Sequence, residues 1–63
     1  MNIKIKYLII AKYILENNIQ DKSVRYIKNV CKCGSDTVRD AKKFLIENPN
    51  ISIKEINEII YKV

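Results

Sequence analysis

Apolar residues recur every three to four positions in four stretches of the chain, which is the spacing of amphipathic helices rather than of strands. Val24 and Ile27 form the inner row of the second stretch, and Val38, Ala41 and Leu45 form that of the third. The predicted helices span about residues 5–17, 22–31, 36–47 and 53–62. The pattern therefore predicts an all-α fold of three to four short helices in one domain, residues 1–63, with no strand after the third helix.

Residues that cap or stop helices fall between these stretches. Asp21 is predicted to cap the second helix and Ser35 the third, because short polar side chains accept bonds from the free N–H groups of a first turn. Pro49 ends the third helix, and the segment 52–55, Ser-Ile-Lys-Glu, is a capping box before the fourth. Residues 1–4 belong either to the first helix or to a short extended arm.

The first helix is apolar around most of its circumference. Besides an inner row, Ile5, Ile9 and Tyr13 form a further row with a spacing of four. A surface helix of a monomer needs only one apolar stripe. The second row is covered either by the rest of the fold or by a second copy of the chain, and we take these three residues as a candidate homodimer interface.

The chain contains a candidate internal duplication. Residues 11–17, AKYILEN, resemble residues 42–48, KKFLIEN, and residues 23–27, SVRYI, resemble residues 52–56, SIKEI. Two copies of a helix pair would account for four helices. Chance similarity in a chain rich in Ile, Lys and Asn is the alternative.

The positive charge is concentrated in one part of the chain. The 63 residues carry a net charge of +5, and residues 22–43 alone carry +5, whereas the segments before and after them carry +1 and −1. A basic segment is compatible with nucleic acid, with an anionic surface or with an ordinary solvated face. Charge alone does not choose among these three.

Cysteine usage and hydropathy favour a cytoplasmic, reducing setting. Cys31 and Cys33 are the only cysteines, and a disulfide across a single intervening residue would be strained. The chain has no His, so it lacks the four ligands of a structural zinc site. No stretch reaches the roughly 20 apolar residues of a membrane span, and we expect no signal peptide and no membrane association.

The sequence offers no catalytic constellation. No nucleophile has a nearby His, no glycine-rich loop could hold phosphate, and no pair of carboxylates stands out. We therefore expect a protein that is not an enzyme and that needs no cofactor, metal or small-molecule substrate.

Residues 23–43, SVRYIKNVCKCGSDTVRDAKK, resemble the helix-turn-helix family of DNA-binding domains. In such a motif two short helices meet across a tight turn, and the residues between them must be apolar or small. The buried set would be Ile27, Cys31, Cys33, Val38 and Ala41. The resemblance implies a compact bundle of this type, with the motif in residues 22–47 and with residues 36–47 as the recognition helix. We expect no wing, because nothing strand-like follows the third helix.

The resemblance also implies which residues contact double-stranded DNA. The family places the second helix in the major groove, N-terminal end first. Arg39 would then bond a guanine edge, and Asp36 or Asp40 would accept from a cytosine amino group. The residues expected to face base edges are Ser35, Asp36, Arg39, Asp40 and Lys43, and those expected to meet phosphates are Lys28, Lys32 and Lys42.

The sequence departs from the family pattern at two positions. Many members have a small residue where Lys28 stands, because the helices cross closely there. Many also have Gly where Lys32 stands, since that residue adopts a left-handed backbone, whereas here Gly34 comes two residues later. The shape of the turn is left open by these differences.

Two functions follow as hypotheses. The first is a homodimeric DNA-binding protein that regulates transcription, which the helix-turn-helix resemblance and the basic segment favour. The alternative is a small helical interaction module or adaptor that uses the apolar first helix. Binding to RNA or to anionic lipid is a third possibility that no specific motif supports.

Overall fold

The computed structural model describes the backbone of residues 3–62 and the side chains of residues 5–62, and this part of the chain forms four helices and no strand. The helices are α1 (Ile3–Asn17), α2 (Val24–Cys31), α3 (Ser35–Glu47) and α4 (Ile53–Lys62). The predicted all-α class is confirmed. Residues 3 and 4 belong to α1, so the extended-arm alternative is wrong for them, and residues 1 and 2 lie outside the described residues.

The core is apolar throughout and is centred on α1. Every buried side chain among residues 5–62 is aliphatic. Burial of a Leu, Ile or Val side chain contributes about 1.5–3 kcal/mol. The buried residues are Leu8, Ala11 and Ile14 of α1, Ile19 of the following loop, Ile27 of α2, Val38 and Ala41 of α3, and Ile56 of α4.

The helices exchange partners between the two halves of the chain. α1 packs against α3 and α4, and α2 packs against α3. Within the described residues, neither α1 with α2 nor α3 with α4 forms an extended interface. The pair α1–α2 therefore buries its apolar faces against the pair α3–α4, and the list of packed helices stays the same when α1 is exchanged with α3 and α2 with α4.

The two candidate repeats also end and begin their helices with the same bonds. The Asn17 and Asn48 side-chain amides each donate a 2.9 Å hydrogen bond to the carbonyl four residues before. The Ser23 and Ser52 hydroxyls each accept a 3.1 Å bond from the backbone N–H three residues after. These matches, with the exchange of partners, are what a duplicated helix pair would produce.

The structure corrects two of the three predicted caps. The N-cap of α2 is Ser23 and not Asp21, because α2 begins two residues later than expected. The N-cap of α3 is Gly34, which has no side chain to accept a bond, and Ser35 is the first residue of that helix. The capping box of α4 is confirmed, since the Ser52 N–H donates to Glu55 Oε1 at 3.3 Å and the Glu55 N–H donates to Ser52 Oγ.

Asn18 ends α1 by adopting a left-handed backbone with a φ of 52°. Its N–H donates to the Leu15 carbonyl at 3.3 Å, and the Ile19 N–H donates to the Ile14 carbonyl at 3.1 Å. This pair of bonds is the Schellman arrangement, which satisfies carbonyls that a helix end leaves free. It also turns Ile19 back into the core, and the loop of residues 18–23 then leads into α2.

Candidate nucleic-acid interface

The turn between α2 and α3 contains one left-handed residue, Lys32. Its φ and ψ are 54° and 49°, and its N–H donates to the Lys28 carbonyl at 2.8 Å. Gly34 has an ordinary φ of −75°. The left-handed backbone therefore occurs at the position where the resemblance expects it, although a lysine occupies that position and costs about 1–2 kcal/mol relative to a right-handed residue.

The residues predicted to lie between α2 and α3 do so. Ile27, Val38 and Ala41 are fully buried, and Cys31 and Cys33 are half-buried against them. Burial raises the pKa of the Cys31 thiol, and the neighbouring Cys33 adds to the rise through its charge and a hydrogen bond. Both thiols are free, and they lie at the end of α2 and in the turn between α2 and α3.

Val30 of α2 lies outside the buried inner row of the helix. This side chain is 42% exposed, next to Tyr26, which is 46% exposed. The Lys22 ammonium lies 5.7 Å from the centre of the Tyr26 ring. Tyr26 and Val30 therefore form an exposed apolar pair on α2, and the cationic side chain of Lys22 lies next to it.

Four exposed cations lie on α2 and in the turns next to it. Arg25 and Lys28 are three residues apart within α2 and share one side of it, and Lys22 and Lys32 lie in the turns directly before and after the helix. All four side chains are exposed. None of them forms an ion pair within residues 5–62. We call this set the basic stripe.

Sequence reasoning selected only Lys28 and Lys32 from the basic stripe and missed the other two members. The spacing of Arg25 relative to Lys28 was a usable signal, whereas Lys22 lies in the loop before α2, where helical spacing does not apply. The structure also shows why Lys28 is tolerated where the family favours a small residue: its side chain is exposed and does not enter the contact between the helices.

α1 brings a further cation to the turn. Lys6 and Lys32 line the same open groove of about 460 Å³, with Ile9 and Ile10 on the α1 side and Thr37 on the α3 side. Lys6 is exposed and falls outside the predicted site. Its position extends the positive surface from α2 across the turn towards the start of α3.

The outward face of α3 alternates in charge. Asp36, Arg39, Asp40, Lys43 and Glu47 are all exposed and lie within about a quarter of the helix circumference, opposite Val38 and Ala41. Four of these five were predicted to face base edges. The face carries two positive and three negative side chains, a net charge of −1, so the excess positive charge of residues 22–43 lies mainly on the basic stripe.

One ion pair joins two members of this face. Arg39 Nη1 lies 3.3 Å from Asp36 Oδ1, three residues apart on the helix. The side chains are 66% and 95% exposed, so the pair contributes only about 0–1 kcal/mol to stability. Asp36 also lies in the first turn of α3, where its charge faces the positive end of the helix dipole.

Two predicted contact residues lie away from this face. Ser35 is half-buried and lies about a quarter turn from the outward face. Lys42 is half-buried on the same flank, and its ammonium donates a hydrogen bond to the Lys22 carbonyl in the loop before α2. Lys42 thus ties α3 to that loop instead of projecting with Arg39 and Lys43.

The candidate dimer row on α1 is only partly available. Ile9 is 46% exposed, whereas Ile5 and Tyr13 are half-buried, and Tyr13 packs against the core. On the opposite side of α1, Tyr7 packs edge-on against Phe44 with ring centres 5.7 Å apart. The rest of the fold therefore covers much of the apolar surface that α1 has beyond its inner row.

Within residues 3–62, no helix has both the length and the apolar character needed to cross a membrane. In the same part of the chain, no three His, Cys, Asp or Glu side chains cluster closely enough to hold a metal ion. Comparison with protein-family models, with curated proteins and with solved structures finds no match to this chain.

Proposed function

We propose that this protein binds double-stranded DNA, with α3 as the recognition helix and the basic stripe against the phosphates, and that it regulates transcription by doing so. The observation that carries the proposal is the left-handed turn at Lys32, which sets α2 and α3 around a shared apolar contact with their exposed polar faces on the outside. In the helix-turn-helix arrangement the first helix crosses the backbone and the second enters the major groove.

The two faces suit different parts of a duplex. The basic stripe is exposed, unbroken by an acidic side chain and free of ion pairs within residues 5–62, which suits contact with phosphates. The outward face of α3 mixes donors and acceptors, which suits base edges in the major groove. Phosphate contacts supply affinity and orientation, and base contacts supply discrimination.

The test is the salt dependence of binding to a labelled random-sequence duplex, measured by fluorescence anisotropy. Four phosphate contacts give a slope of log affinity against log salt of about −3.6, since each contact contributes about −0.9. The double variant Arg25→Gln/Lys28→Gln should flatten the slope by about two units.

A matched control removes the same charge elsewhere. Lys54 and Lys62 are exposed on α4, which packs against α1. The double variant Lys54→Gln/Lys62→Gln should leave the slope close to that of the unaltered protein. Equal slopes for the two double variants, or no binding at low salt by a protein that circular dichroism shows to be helical, would refute the proposal. Absence of binding would favour the interaction-module alternative, with Ile9 as the exposed apolar centre.

A further inference from the structure

The outward face of α3 contributes little general attraction to a duplex. Its five charged residues sum to −1, whereas the four residues of the basic stripe are all positive. A negatively charged face approaches DNA favourably only where its donors and acceptors find partners on the bases. The charge pattern therefore divides the two tasks between helices, with affinity assigned to the basic stripe and discrimination to α3.

Asp36 and Arg39 form the only ion pair within residues 5–62. Asp36 lies in the first turn of α3, so the bond at 3.3 Å draws the Arg39 guanidinium towards the N-terminal end of the helix. A guanidinium has five N–H donors, and one bond to a carboxylate leaves the others available for a second partner. Arg39 can thus keep its bond to Asp36 and still donate two bonds to a guanine edge.

The negative charge of Asp36 has a second effect. An arginine without a nearby carboxylate is attracted to any phosphate, and that contact carries no sequence information. The Asp36 carboxylate opposes a phosphate that approaches Arg39, because like charges repel most strongly at short range. A guanine edge presents neutral acceptors and meets no such repulsion.

We propose that Asp36 is a specificity-determining positioning residue, which holds Arg39 for guanine and away from phosphates. The inference rests on the proposed DNA binding and adds a feature to the ligand: the preferred duplex has a G·C pair where Arg39 reaches the major groove. Asp36 acts through Arg39, so the consequence of losing it is relaxed base preference rather than weakened binding.

The experiment is selection of bound duplexes from a fully randomised library, followed by sequencing of the selected DNA. The unaltered protein should select guanine at one position, and Arg39→Ala identifies that position by losing the preference. Asp36→Asn should weaken the guanine preference there by about 5-fold or more. It should also strengthen binding to the unselected library. Asp36→Glu, which keeps a carboxylate within reach of Arg39, should restore the preference.

Glu47→Gln is the comparator, because it removes the same charge from the same face, at a residue outside the predicted base contacts that has no ion pair with Arg39. It should strengthen binding to the library without relaxing the guanine preference at the position of Arg39. Retention of the full preference by Asp36→Asn, or an equal loss in Glu47→Gln, overturns the inference while the unaltered protein still binds duplex DNA. Failure of the unaltered protein to bind any duplex overturns the proposed function itself and this inference with it.

Discussion

Replacement of Lys32 by glycine should stabilise the protein, which is the reverse of what glycine does at an ordinary position. Lys32 has a φ of 54°, and this conformation destabilises a residue with a Cβ atom by about 1–2 kcal/mol. Glycine adopts it freely but loses about 0.5–1 kcal/mol through the greater freedom of its unfolded chain. The difference leaves a gain of about 0.5–1 kcal/mol in the free energy of unfolding.

The matched control is Lys32→Ala, which removes the same charge and the same long side chain but keeps the Cβ atom. The backbone bond from residue 32 to the Lys28 carbonyl is available to both variants. Comparison of the two variants therefore isolates the backbone conformation. In a domain of this size the glycine variant should melt roughly 2–8 °C above the alanine variant.

The assay is urea unfolding followed by circular dichroism, supported by thermal melting. The slope of unfolding free energy against urea should be the same in both variants, since neither changes the surface that unfolding exposes. A glycine variant that is less stable than the alanine variant by about 0.5–1 kcal/mol would show that residue 32 is not left-handed in solution. The reasoning about the turn, and with it the geometry of the proposed interface, would then be refuted.

Three further outcomes follow from local features of the structure. Ser23→Ala should lower the free energy of unfolding by about 1 kcal/mol in urea, whereas Asp21→Ala should have little effect on it. A larger loss in Asp21→Ala than in Ser23→Ala would restore Asp21 as the cap of α2. The raised pKa of the Cys31 thiol means that iodoacetamide should alkylate it only at higher pH in the folded protein than in the denatured chain. Peptide mass spectrometry follows the alkylation, and identical pH profiles for the two states would contradict the prediction. If α1 forms a homodimer interface, Ile9→Glu should convert the dimer to a folded monomer in analytical ultracentrifugation, and an unchanged dimer would exclude that interface.

The helices and most of the core were predictable because their signal is local and periodic. Val38 and Ala41 recur at helical spacing, and the capping box of Ser52 and Glu55 is a short pattern with a single geometric solution. The cap of α2 was harder to place, because Asp21 and Ser23 are both good capping residues and the choice depends on where the loop after α1 ends.

The candidate site was only partly predictable, because position around a helix depends on its exact start and on tertiary packing. Arg39 and Lys43 follow from the inner row of α3, which fixes the opposite face. The bond from Lys42 to the Lys22 carbonyl joins residues 20 apart and has no sequence signature. The left-handed backbone at Lys32 was expected from the resemblance alone, because glycine is the usual marker of that conformation and the only glycine, Gly34, stands two residues later.

The exchange of partners between the two helix pairs has a consequence for how the chain reaches its fold. A fragment of residues 1–32 would carry the apolar faces of α1 and α2 without the surfaces that cover them, and a fragment of residues 33–63 would be equally incomplete. Neither should be helical alone, since short isolated helices are marginal in water. Mixed together, the two fragments should become helical in a concentration-dependent way, because the fold of one chain then assembles from its two halves.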